Sequence, residues 1–186
     1  MGKMAPSIVK GKYKDIPEHY KRRRWVNPKV WKKKTRPRVI ARSWKDGKLI
    51  DPYTGEQIKK KKHVDHTVAL KEAHESVVGR RGGMLSPMEK LRFGHYTRNL
   101  KVLNPSTNIE KGAYDIKGWL PKLNQSNFAK NTETIKLKWD LAMDPAEASK
   151  FKEETGRDTK TRISPKLKNT FYCTRCHVKH SIGNHN

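Results

Sequence analysis

The chain is poor in acidic residues and has no long apolar run. Of 186 residues, 18 are Asp or Glu against 43 Lys or Arg, and the formal net charge at pH 7 is +25. No apolar stretch approaches the roughly 20 residues of a membrane span, so we expect no membrane partner. The N-terminal residues lack the apolar core of a signal peptide, which favours a cytoplasmic location.

Cysteine is nearly absent as well, since only Cys173 and Cys176 occur, in a Cys-x-x-Cys pair. In a cytoplasmic chain such a pair is more often a metal site than a disulfide. His177, His180 and His185 follow closely. We expect structural Zn²⁺ through Cys173, Cys176, His180 and His185, with His177 as a substitute. The alternative is a tail in which these side chains bind no metal.

Positive charge is concentrated at the two ends of the chain. Residues 1–62 hold 21 Lys or Arg against 5 Asp or Glu, residues 63–159 hold 16 against 13, and residues 160–186 hold 6 against none. A balanced middle between polycationic ends is typical of a folded core with extensions that bind nucleic acid. We therefore expect a basic DNA-binding arm (1–47), a core (48–121), a helical extension (122–158) and a basic tail (159–186).

Local patterns predict mixed α and β structure. Residues 48–58 resemble a hairpin with a Pro-Gly turn, residues 64–70 and 100–103 resemble strands, and prolines interrupt any long helix before residue 47. Ser86, Asn104 and Asp144 each precede a proline, a pairing typical of a helix start. We expect the helix after Asn104 to end at Gly118. In the helix-rich extension the expected core side chains are Phe128, Ile135, Leu137, Trp139, Leu141 and Met143.

A carboxylate, an imidazole and a carboxamide form the candidate catalytic set. Asp65 and His66 are adjacent, and Asn108 lies on a predicted helix. Oxygen ligands from Asp65 and Asn108 favour Mg²⁺ or Mn²⁺. His66 is suited to be a general base, because its unperturbed pKa lies near neutrality. His63 does not share a strand face with His66, but a contact between His63 and substrate or metal stays open as an alternative, whereas His74 and His95 are expected to be structural.

The motif around these residues resembles that of the HNH (ββα-metal) nucleases. Tyr53-Thr54-Gly55-Glu56-Gln57-Ile58 before Val64-Asp65-His66 is similar to the family pattern TGxxI…xDH. Asn99-Leu100 with Asn108-Ile109-Glu110-Lys111-Gly112 is similar to NL…NxxKG, and Trp119-Leu120-Pro121 is similar to a following WLP. The resemblance covers about residues 49–121. It departs from the family at Ala69, where Pro is usual, and at Gly112, where some members carry a His ligand.

The resemblance implies an α+β fold with a ββα-metal core, helical additions and partly extended basic arms. It implies that Asp65 and Asn108 hold one Mg²⁺ or Mn²⁺ and that His66 is the general base. It further implies that Asn99 supports the hairpin without touching the metal, and that Lys111 contacts the scissile phosphate or braces the helix. The absence of a His at position 112 favours the Asp/Asn variety of the site.

Basic side chains outside this set are candidate phosphate contacts. They lie in charge runs before residue 62 and in the loop and turn after residue 79, and each has a plain alternative as a solvated surface charge. The tryptophans among them either stack on bases or pack in a small core. The candidate contacts are Arg22, Arg23, Arg24, Lys32, Lys33, Lys34, Lys60, Lys61, Arg80, Arg81 and Arg98.

The sequence thus predicts an enzyme, a one-metal endonuclease that hydrolyses phosphodiester bonds of double-stranded DNA. A phage or mobile-element origin, with homing, restriction or packaging roles, is expected, and the location is then the host cytoplasm. A phage or host protein partner, a monomer or homodimer, and an RNA substrate stay open. The alternative is a non-catalytic, basic nucleic-acid-binding protein of ribosomal or architectural type, in which Asp65, His66 and Asn108 are ordinary polar residues.

Overall fold

The computed structural model describes residues 20–76, 85–157, 170–172 and 179–181, of which 170–172, 179–181 and the pair 75–76 are described by backbone alone. Seven helices and six short strands lie in this part of the chain, with two 3₁₀ turns at Arg22–Arg24 and Thr97–Asn99. The helices are α1 (Pro28–Val30), α2 (Arg36–Ser43), α3 (Leu70–Ser76), α4 (Pro87–Gly94), α5 (Pro105–Lys111), α6 (Gln125–Lys138) and α7 (Pro145–Thr155). The strands are β1 (Trp44–Lys45), β2 (Lys48–Leu49), β3 (His63–His66), β4 (Leu100–Leu103), β5 (Thr170–Tyr172) and β6 (Lys179–Ser181).

Residues 20–43 belong to the expected basic, partly extended arm, but they are mostly helical and pack on the core. Trp25 is 1% exposed, and its ring meets that of Phe93 at 5.7 Å. A π-helical segment, Trp31–Thr35, joins α1 to α2 and ends immediately before Arg36 and Pro37. Pro37 has no N–H to donate, so the wider turn before it lets the helix continue where the prolines were expected to interrupt it.

His95 ties this N-terminal segment to the body of the protein. The Asn27 backbone N–H donates to Nε2 at 3.1 Å, so Nδ1 carries the proton and donates to Thr35 Oγ1 at 2.7 Å. Burial lowers the pKa of His95, which favours the neutral ring that these two bonds require. His74 is buried beside the rings of Tyr20 and Trp25.

A two-residue turn that the sequence analysis did not predict precedes the expected hairpin. Asp46 and Gly47 have φ angles of 48° and 69° and connect β1 to β2. The region expected as a hairpin, residues 48–58, closes by a bridge between Ile50 and Gln57 and by a hydrogen bond from Ile58 N to Leu49 O at 2.8 Å. The chain therefore forms a hairpin at 44–49 and then folds back along β2.

Strands β3 and β4 pair antiparallel, with His63 opposite Leu103 and His66 opposite Leu100. The alternation of a strand places residues 64, 66, 100 and 102 on one face and 63, 65, 101 and 103 on the other. Helix α2 packs against the first face through Val39, in a cluster with Leu100 and Val102. Leu103, on the second face, packs with Ile116 and Phe128. The two-stranded sheet is thus covered on both faces.

The predicted helix starts are confirmed, and two predicted boundaries are wrong. α4 and α7 begin with capping boxes at Ser86 and Asp144, each closed by the Glu three residues later, and α5 begins at Pro105 after Asn104. α5 ends at Lys111 instead of Gly118, because Gly112 follows with φ of +52°. The strand predicted to run to Leu70 stops at residue 66.

Helices α6 and α7 lie against each other and complete the core. Phe128, Ile135, Leu141 and Met143 are buried as predicted, whereas Leu137 is 37% exposed and Trp139 is half-buried. Lys136 is buried and bridges two helices, with its Nζ 3.0 Å from Glu72 Oε1 of α3 and paired with Glu147 of α7. Two carboxylates share one ammonium, so the ionisation of both would leave a net negative charge in the core. Burial raises the pKa of Glu72 to about 7, against the attraction of Lys136.

The structure describes little of the tail. β5 and β6 pair antiparallel, with Phe171 opposite His180. Cys173, Cys176, His177 and His185 lie outside the described residues, as do Arg80 and Arg81 of the predicted DNA contacts. In the described part of the chain, every helix is too short or too polar to cross a bilayer.

The molecule is therefore a mixed structure of helices and small antiparallel sheets, compatible with the predicted α+β class. Three clusters of buried apolar side chains hold it together, and the β3–β4 pair lies between two of them.

The Glu72→Gln variant tests the buried charge cluster. A raised folded-state pKa means that the native protein holds an extra proton between about pH 4.5 and 7, so wild-type stability from this group falls as pH rises through that window. The variant lacks this fall and gains stability relative to wild type from pH 5 to 8. Urea unfolding at both pH values measures the difference. The exposed Glu153→Gln is the matched control, and an equal pH response in both variants would contradict the assignment.

Candidate functional site

An open pocket of about 620 Å³ lies along β3, and the two predicted metal ligands line it. Asp65 from β3 and Asn108 from α5 both line it, although they are 43 positions apart in the chain. Helix α5 follows β4 directly and packs back across β3, which brings the carboxylate and the carboxamide together. The complete lining is Arg22, Trp31, Arg36, Lys60, Lys61, Lys62, His63, Val64, Asp65 and Asn108.

Lys111 lies beneath the pocket and contacts Asp65 and the backbone of His66. Its side chain is fully buried, and Nζ lies 3.0 Å from Asp65 Oδ2 and donates to the backbone carbonyl of His66 at 2.8 Å. The contact with Asp65 is an ion pair without the alignment of a hydrogen bond. The Asp65 side chain retains 18% exposure. One carboxylate oxygen is therefore held by Lys111, and the other is left to the pocket.

His63, whose role the sequence left open, lies in the pocket. The Asn108 amide nitrogen lies 2.9 Å from His63 Nδ1, which orients the amide oxygen away from the ring. His63 and Asp65 are two residues apart on β3, and the two-residue period of a strand puts both on the face that meets α5. The spacing of His63 from Asp65, rather than from His66, is the sequence signal that places His63 in the site.

His66 lies on the other face of β3 and is only 3% exposed. Its Nε2 is 2.8 Å from the Gly94 carbonyl oxygen, which can only accept, so Nε2 carries the proton and Nδ1 keeps its lone pair. Burial lowers the pKa of His66 to about 4, while the Gly94 carbonyl and Asp65 act in the opposite direction. The ring is therefore neutral at pH 7, in the tautomer that can accept a proton at Nδ1.

Gly94 is required for this contact by close packing. A Cβ at position 94 would lie 1.7 Å from the backbone oxygen of Trp25. Only a residue without a side chain lets the N-terminal segment approach so closely. A glycine at the end of α4 is visible in the sequence, but the close approach of the Trp25 backbone to that glycine is not.

Trp31 covers His66 from the pocket side. The two rings are stacked, 5.7 Å apart with an interplanar angle of 21°. Arg22 lies over the Trp31 ring, with its guanidinium carbon 5.9 Å from the ring centroid. The N-terminal segment thus separates His66 from the pocket that holds Asp65.

Asn99 does not line the pocket and does not contact Asp65. It joins the start of β4 to the loop after β3. Its buried side chain accepts from Val68 N at 2.8 Å and donates to Val68 O at 3.0 Å, while its own carbonyl accepts from Thr67 N at 2.7 Å. Asp51 makes a comparable link, because its Oδ2 accepts from Asn104 N at the start of α5. These bonds fix the spacing between the strands and α5.

The predicted nucleic-acid contacts divide into separate groups. Arg22, Lys60 and Lys61 line the pocket, together with Arg36 and Lys62, which were not predicted. Arg23, Arg24 and Lys32–Lys34 are exposed but lie outside the pocket lining, and Arg98 lines a different cavity. Five cations therefore surround one carboxylate that already has a partner, which makes the pocket strongly electropositive and suited to a phosphate.

The donor atoms of the pocket suit a hard cation only in part. Asp65 and Asn108 offer oxygens and His63 offers a ring nitrogen. Within the described residues no three His, Cys, Asp or Glu side chains cluster as metal ligands. The set contains one carboxylate, so an anionic ligand is needed to complete it.

No family model, no curated protein and no solved structure matches this chain.

The Gly94→Ala variant tests the link between the N-terminal segment and His66. The added methyl group forces the backbone of residue 25 away, so we expect a loss of about 2–3 kcal/mol in unfolding free energy and a disturbed His66 ring. Urea unfolding measures the first effect and imidazole ¹⁵N NMR the second.

Gly47→Ala is the control for that variant. Residue 47 has φ of +69° and open space around it, so the substitution strains the turn without reaching His66. A His66 signal that stays unchanged in Gly94→Ala would contradict the role of the Gly94 carbonyl.

Proposed function

We propose that this protein is a metal-dependent endonuclease that cleaves DNA in the pocket along β3. The observation that supports this most directly is the convergence of Asp65 and Asn108 on one cationic pocket, with His66 in the same strand. Two antiparallel strands followed by a helix that packs across them are the arrangement that a ββα-metal core requires.

Asp65 and Asn108 are the proposed ligands of Mg²⁺ or Mn²⁺. Lys111 occupies one carboxylate oxygen and His63 faces the amide nitrogen, so one oxygen of each side chain is left toward the pocket. When bound there, the divalent cation supplies positive charge to the scissile phosphate. His63 either holds Asn108 in place or is itself a ligand.

His66 is the proposed general base, through Nδ1. The Gly94 carbonyl fixes its tautomer. Because His66 lies on the face of β3 opposite Asp65, a phosphate bound at Asp65 must extend past the edge of the strand to meet His66. Its ring is buried under Trp31, so a water reaches Nδ1 only after Trp31 moves. We infer that substrate binding displaces Trp31, because the Arg22 guanidinium that now lies over the indole ring would bind a phosphate instead.

The cations of the pocket are the proposed phosphate contacts. Arg22, Arg36 and the run Lys60–Lys62 surround the Asp65 carboxylate on the solvent side. Each neutralised phosphate releases counterions, so binding weakens as salt concentration rises. Asn99 and Lys111 have supporting roles, since both act through the backbone of residues 66–68. Residues 48–121 are the proposed nuclease core.

One alternative has a specific observation in its favour. Asp65 already has a buried partner in Lys111, and His66 is covered. Both facts also suit a non-catalytic protein that binds nucleic acid through the same cations. In that case the pocket binds a phosphate, and no bond is broken.

Incubation with supercoiled plasmid and Mg²⁺ or Mn²⁺ separates the two functions. We expect wild-type protein to nick or linearise the plasmid and EDTA to stop it. Asp65→Ala, Asn108→Ala and His66→Ala should each lower the rate at least a hundredfold, which is typical for loss of a metal ligand or general base. Sequenced product ends report specificity and stagger.

Lys152→Gln, a substitution of an exposed lysine on α7, is the matched control and should cut as wild type does. Circular dichroism verifies that each variant is folded. Plasmid that is bound but uncut by wild-type protein with either metal would support the non-catalytic alternative. Cleavage that survives in folded His66→Ala would show that the base is another group.

A further inference from the structure

A second cationic groove lies along β4, on the strand opposite the one that carries the catalytic set. The main cavity is about 720 Å³ and is lined by Leu100, Lys101 and Val102 of β4. A smaller cavity adjoins it, since both are lined by Pro52, Lys101, Asn124 and Asn131. Neither is lined by any residue of β3 or α5.

The groove holds positive charge without any carboxylate to balance it. Arg42, Lys45, Arg98 and Lys101 line the main cavity, and no Asp or Glu lines either cavity. Arg42 is positioned by backbone carbonyls, since its Nη2 donates to Thr97 O and, at 3.2 Å, to Leu100 O. Its charge is therefore held in place but not neutralised.

Lys101 has a carboxylate opposite it in the sheet but does not pair with it. Its register partner is Asp65, whose carboxylate is paired with Lys111. Partial burial lowers the pKa of Lys101, and Arg42 and Lys45 lower it further by repulsion. Four cations crowded together are unfavourable in the free protein, and an anion that enters the groove relieves the repulsion.

Carboxamides form the second wall of the groove. Asn124 stands at the start of α6, while Asn127 and Asn131 follow on the helix one turn apart. Residues four apart on a helix share a face. Asn side chains both donate and accept hydrogen bonds, so they suit phosphate oxygens and base edges alike. An acidic peptide would use the cations and leave the amides without a clear role.

We propose that this groove is a second polynucleotide-binding site, which holds a stretch of the nucleic-acid backbone away from the cleavage pocket. The choice of a polynucleotide as the ligand rests on the proposed function. The charge and shape of the groove are observed independently of that function. The protein then binds DNA at two places, in the pocket along β3 and in the groove along β4.

The double variant Lys45→Gln/Lys101→Gln tests the groove. Binding of a fluorescein-labelled 30-base-pair duplex is measured by anisotropy in EDTA, so that no cleavage is involved. We expect affinity to fall about tenfold or more. The slope of log K against log salt is negative, and each lost phosphate contact makes it shallower by about 0.9. The slope of the double variant should therefore be shallower than that of wild type by about 1.8.

The charge-matched control is Lys152→Gln/Arg157→Gln, which removes two exposed cations near the end of α7. It should bind within twofold of wild type, with an unchanged slope. A second groove variant, Asn127→Asp/Asn131→Asp, adds negative charge to the other wall and should weaken binding in the same direction.

Equal affinity of the groove variants and the control would overturn the proposal. Poly-glutamate that binds wild type and loses as much affinity as DNA does in the groove variant would assign the groove to an acidic protein instead. Because all of this is measured in EDTA, loss of plasmid cleavage in Asp65→Ala leaves the result unaffected. The failure of one proposal is thus distinguishable from the failure of the other.

Discussion

The buried ammonium of Lys111 is the contact on which the site depends. It joins α5 to β3 through the Asp65 carboxylate and the His66 carbonyl, and it does so with no exposure to solvent. Removal of one partner from a buried ion pair typically costs about 3–5 kcal/mol, because the other charge stays buried. Asn108 lies one turn before Lys111 on the same helix, so the pair also fixes where the carboxamide meets His63. Lys111 therefore helps to set the positions of the Asp65 carboxylate, the His66 backbone and the Asn108 carboxamide.

This arrangement sets the electrostatics of the pocket. Lys111 compensates the only carboxylate in the lining, and five further cations face the solvent side. A divalent cation alone meets little negative charge there, whereas a phosphate meets a strong positive potential. In the proposed function, nucleic acid therefore binds first and its phosphate oxygens complete the metal site. The groove along β4 also has an excess of cations, from Arg42, Lys45, Arg98 and Lys101.

Local signals in the sequence predicted local structure well. The Ser86-Pro87 and Asp144-Pro145 pairs mark helix starts because caps depend on neighbours in the chain. The Asp46-Gly47 turn was equally readable and was passed over. Long-range contacts were not readable. Charge and prolines suggested an extended arm before residue 47, but Trp25 and Val39 make part of that segment core. Nothing in the sequence indicates that Trp31 stacks on His66, or that the Gly94 carbonyl accepts a hydrogen bond from His66 Nε2, because both depend on packing between distant segments.

Crystals of the protein with Mn²⁺ and a phosphorothioate duplex, which resists cleavage, would show whether Asp65 and Asn108 bind one divalent cation beside a phosphate. Anomalous scattering locates Mn²⁺ without reference to activity. We expect one anomalous peak within about 2.2 Å of an Asp65 carboxylate oxygen and the Asn108 amide oxygen, as for Mn²⁺ bound to oxygen ligands. We also expect that a phosphate lies against Arg22 or Arg36 and that Trp31 has moved off His66. A peak elsewhere, or a duplex bound with no metal between residues 65 and 108, would contradict the proposed metal site.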